Sequence, residues 1–128
     1  VNSIFGGSLL LFADRLPEDL HQSAWSTSYE RYKILWDQQG DVVDRMPVHI
    51  SGELLAGLAQ STQRLGRTDE SDQFVDQILE VIPDSAYGRI AREWKADPQV
   101  AMTRPLVCAS CHGEGRLRRK LAALDSGD

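Results

Sequence analysis

Two cysteines and a histidine stand together in this chain, as Cys108-Ala109-Ser110-Cys111-His112. Two thiols three positions apart and an adjacent imidazole can do several kinds of chemistry. A thiol redox pair and half of a zinc site share the C-x-x-C spacing. A closed zinc site needs four ligands, and the remaining histidines, His21 and His49, do not stand at finger-like spacing from the cysteines. A redox pair of the thioredoxin kind follows a strand, and the chain has almost no strand pattern. A disulfide across two residues would staple very little chain. The full pattern, C-x-x-C-H, also suits covalent attachment of one haem c. Cys108 and Cys111 would reach two vinyl groups on one edge of the porphyrin, and His112 would be the proximal iron ligand.

A sixth ligand has four candidates. His49 and Met46 share a connection between two predicted helices, and Met102 lies just upstream of the cysteines. His21 heads an aromatic face. An iron with no sixth protein ligand is equally consistent with the sequence. Arg116, in the basic run Arg116, Arg118, Arg119 and Lys120, is a candidate partner for a haem propionate. The run would equally suit an acidic partner protein or a solvated helix face. No Ser/His/Asp set, P-loop or dinucleotide fingerprint is present, so no enzymatic activity is expected.

The elements that must position these residues are helical. Pro17 to Gln39 reads as the longest helix, with His21, Trp25, Tyr29, Tyr32 and Trp36 on one face. Residues 41–50 read as a connection. Ser51 is the expected N-cap of a second helix carrying Leu54, Leu55, Leu58, Ala59 and Leu65, closed by Gly66. Thr68 is the expected N-cap of a third, with Phe74, Val75, Ile78, Leu79 and Ile82 at helical spacing and Pro83 as its stop. Asp84 or Ser85 opens a fourth, with Tyr87, Ile90, Ala91 and Trp94 as its core face, ended by Asp97-Pro98. Residues 98–105 read as a linker, 117–124 as a last helical piece, and both termini as loose. The expected fold class is all-α. It would be a small bundle or helical-hairpin array of about five helices around a C-terminal haem-attachment segment at 106–120.

At 128 residues the length fits a single domain, 1–128. A hydrophobic content of 41% and a charged content of 26% are ordinary for a globular chain. The net charge of −5 argues against nucleic-acid binding. The longest apolar run, Leu9 to Ala13, is too short to span a bilayer. No signal peptide is visible.

The motif residues Cys108, Cys111 and His112 resemble those of c-type cytochromes. In outline the chain is similar to cytochrome c′, a four-helix bundle with C-x-x-C-H near its carboxyl end. It departs from that family at Gly113-Glu114-Gly115, where a regular helix carrying an aromatic and a basic residue is usual. Residues 52–83 resemble one tetratricopeptide repeat, through Leu58, Ala59, Gly66, Ser71, Val75 and Pro83, without the consensus aromatics. Arg89 and Arg92 interrupt a second repeat. The first resemblance implies a mono-haem electron carrier, matured in the periplasm or otherwise outside the cytoplasm, with a redox partner protein. It also leaves room for a homodimer or a place in a larger complex. Alternatives are a gas-binding or sensing haem protein and a tetratricopeptide-like interaction module without haem.

Overall fold

The computed structural model describes residues 9–10 and 12–109. Among the described residues, five α-helices follow short 3-10 turns at Ala13–Arg15 and Glu18–Leu20. They are α1 (His21–Gln39), α2 (Val48–Arg64), α3 (Thr68–Val81), α4 (Ala86–Ala96) and α5 (Pro98–Thr103). A further 3-10 segment, Gly40–Arg45, joins α1 to α2. No strand occurs among the described residues. The all-α expectation holds.

α2 is the centre of the bundle. Nine consecutive residues, Leu54 to Thr62, are buried on nearly every side, which explains the mixture of leucines with Gly57, Ala56 and Ala59. Small residues let neighbouring helices come close. Ser71 of α3 donates its hydroxyl to the carbonyl of Ala59 at 2.8 Å, so the two backbones meet across a single side chain. Gly66, at φ +80, reverses the chain between them in a conformation that suits a residue without Cβ.

Several local expectations need correction. Pro17 does not open the long helix; it flanks the 3-10 turn Glu18–Leu20, and the α-helix begins at His21. α2 begins at Val48, behind Pro47, so Ser51 is inside the helix and returns its hydroxyl to the carbonyls of Pro47 and Val48. His49 is therefore a helical residue in the first turn. Thr68 is the first residue of α3 rather than its cap. Residues 98–105 are not wholly a linker: Asp97 accepts the Gln99 N–H at 2.9 Å and starts α5, with Pro98 in the first turn, where its missing N–H costs nothing. Ser85 does cap α4, accepting the Gly88 N–H at 3.1 Å.

The aromatic face of α1 is divided. Only Tyr32 is fully buried, in line with Ala24 and Ser28. Trp36 meets Phe74 edge-on at 5.4 Å, and the Arg67 guanidinium lies over Tyr29 at 4.7 Å. Those aromatics seal α1 against α3 and the turn before it.

Candidate functional site

The described chain ends inside the cysteine motif, and its last stretch is fastened to the bundle link by link. The Arg104 carbonyl accepts the indole N–H of Trp94 at 2.9 Å. The backbone N–H groups of Leu106 and Val107 both donate to Gln60 Oε1, at 2.7 and 3.0 Å. The Cys108 N–H donates to Glu53 Oε2 at 2.8 Å. Gln60 and Glu53 are seven residues apart on α2, two turns along one face. The segment therefore runs along α2 toward its N-terminus and delivers Cys108 there. Leu106 and Val107 are buried, and Cys108 is half-buried.

Glu53 gathers a small polar cluster. The Tyr87 hydroxyl donates to Glu53 Oε2 at 2.5 Å, and Cys108 Sγ lies 3.9 Å from Oε1. Two glycines make room for the rings around it. A Cβ on Gly52 would stand 2.2 Å from the Tyr87 ring, and one on Gly57 would stand 2.2 Å from the Tyr32 ring. Both tyrosines thus lie flat on the α2 backbone. Burial, reinforced by the charge of Glu53 and by Cys108 and Tyr87, pushes the Tyr32 phenol far above its usual range. Cys108 has φ 60, a left-handed conformation uncommon outside glycine.

The candidate sixth ligands fall in different places. His49 is exposed and stands one turn before Glu53 on the same side of α2. Met46 is half-buried against the core just before α2. Nε2 of His21 donates to the Leu16 carbonyl at 3.0 Å, and the ring packs on Trp25 at 5.4 Å. That nitrogen is engaged within its own segment. Met102 is 56% exposed on α5 and borders a groove of about 520 Å³ with Gln63, Thr68, Asp72 and Trp94. Gln63 is ten residues from Glu53, about 15 Å along α2. Cys111, His112 and Arg116 lie outside the described residues. Among the described residues no three His, Cys, Asp or Glu side chains converge as a metal site.

Glu53 and Gln60 did not stand out in the sequence. Their signal was there: two polar residues with heptad spacing in the most apolar helix. No family model, curated protein or solved structure matches the chain.

Proposed function

We propose that the chain is a mono-haem c-type cytochrome that carries electrons to or from a partner protein outside the cytoplasm. The observation that carries this reading is the sequence Cys108-Ala109-Ser110-Cys111-His112. The surroundings of its first residue suit the same group. Cys108 is partly buried at the edge of the core rather than within it. Val48 and Ile50, which flank His49 in the first turn of α2, are exposed apolar side chains, 49% and 52% accessible. In this reading Cys108 and Cys111 hold the haem, His112 ligates its iron, and Arg116 pairs with a propionate. The haem supplies reversible one-electron chemistry, with a potential set by axial ligation and burial. The protein's own part is to anchor the ring and keep water from it. No helix among the described residues is long and apolar enough to cross a membrane, and electron delivery is assigned to a docked partner.

The test is the visible spectrum of protein produced with haem-maturation machinery, oxidised, reduced and under carbon monoxide. Sharp reduced bands unmoved by the gas support an electron carrier. Bands that shift support the gas-binding reading. Cys108→Ala with Cys111→Ala should abolish covalent haem; unchanged visible absorption in that variant defeats the proposal. A protein without haem bands would instead favour a helical interaction module. The observation behind that second reading is the close α2–α3 hairpin, with Ser71 hydrogen-bonded to Ala59.

A further inference from the structure

Glu53 has an arrangement that bundle packing does not require. Its Oε2 accepts from both Tyr87 and the Cys108 backbone, while Oε1 faces the Cys108 thiol. An ionised carboxylate only accepts hydrogen bonds, so it can take all three donors at once. The residue it holds is the one described non-glycine residue with positive φ. Such a backbone outlier persists where surrounding contacts over-determine it, and it points to a use.

We infer that Glu53 is the positioning residue for the first thioether bond. The inference rests on the haem reading above and adds to it a residue outside the motif. In thioether formation the thiol adds across a vinyl group. A sulfur–carbon bond forms, the carbon–carbon double bond becomes single, and the thiol hydrogen ends on the other vinyl carbon. No oxidant or reductant is needed. Glu53 touches neither the ring nor the iron. It acts through Cys108, fixing its backbone by the N–H bond and directing Sγ by the facing oxygen. Without that hold, Cys108 relaxes toward negative φ and its sulfur moves.

The experiment is Glu53→Ala in the full chain, matured in the same host as wild type. Pyridine haemochrome band position separates one thioether from two, and peptide mass spectrometry locates the haem on Cys108 or Cys111. The expected result is at least a fivefold loss of doubly linked haem, replaced by haem linked through Cys111 alone. Glu53→Gln keeps an acceptor oxygen and should restore at least half of the doubly linked form. A purely structural role would lower all attached haem in proportion and leave the ratio of single to double links unmoved. That outcome, or a wild-type ratio in Glu53→Ala, overturns the inference while the haem reading stands. Wild type linked through Cys111 alone also overturns it. Wild type without covalent haem defeats the haem reading itself. Should Glu53→Ala not fold, Glu53→Met with Tyr87→Phe removes the carboxylate and the phenol together, leaves no orphaned hydroxyl, and reads the same ratio.

Discussion

Gln60→Leu tests whether the motif is held by the bundle or merely follows it. Gln60 is 2% exposed, and its one carboxamide oxygen accepts two backbone N–H groups from the buried residues Leu106 and Val107. Leucine fills similar space and accepts nothing. Stranding a buried donor costs about 1–3 kcal/mol, so keeping the segment in place would cost about 2–6 kcal/mol. The alternative is for the segment to lift away. That forfeits the burial of Leu106 and Val107, about 3–6 kcal/mol. It also returns about 1–2 kcal/mol of backbone entropy for each residue freed. The cheaper route sets the outcome, which places the effect at about 2–4 kcal/mol and makes it local. Amide hydrogen exchange reads it directly. The Leu106 and Val107 amides should exchange about 30- to 900-fold faster than in wild type, at 1.36 kcal/mol per decade. Amides in the middle of α2 and α3 should change far less. Wild-type protection at Leu106 and Val107 would refute the reasoning, because the segment would then be held by something other than Gln60. Equal loss of protection throughout the bundle would refute its local character.

Gly57→Ala should destabilise the protein despite alanine's helix preference of about 1 kcal/mol over glycine. The new Cβ would meet three Tyr32 ring carbons at 2.2–2.3 Å, and overpacking of that kind costs about 1–3 kcal/mol. With the ring fully buried the upper end applies, so a net loss of about 2 kcal/mol is expected as a lower urea midpoint with unchanged slope. The raised Tyr32 phenol predicts an alkaline weakness. The folded state keeps a proton that the unfolded chain begins to release near pH 10.0, so this stability is intact below that pH and falls above it. Tyr32→Phe should remove about 1.4 kcal/mol of the fall between pH 9 and 11, read by urea titrations across that range; an unchanged fall would remove Tyr32 as its source. Ser85→Ala should cost about 1 kcal/mol through loss of the α4 cap, again read in urea. In the haem-loaded protein His49→Ala should alter the ferric spectrum and Met102→Ala should not; the reverse result would put the sixth ligand on the α5 side.

Periodicity made the helices legible because apolar spacing and burial agree in α2, α3 and α4. It was weakest where one short-range signal competed with another. Ser51 looked like a cap since serine often is one, but Pro47 starts the helix a turn earlier and leaves Ser51 to bond back within it. The proline at 98 suggested a break, while Asp97 beside it made a start. The aromatic face of α1 carried the right period, yet the helix buries Ala24 and Ser28, whose small side chains allow close approach to α2, and Tyr32, whose ring Gly57 accommodates.

The motif was legible as chemistry, but its support was not, for a physical reason. Glu53 and Gln60 bond to the backbone of residues 46 to 55 positions away. A backbone N–H has no sequence identity, so the receiving end of such a contact leaves no mark in the residue types. Only the giving end does, as a polar side chain where an apolar one would pack. Such pairs on a central helix are therefore worth reading as anchors for a distant segment. Here the segment they anchor leads directly into Cys108, and the fold's most buried helix becomes the platform on which the motif begins.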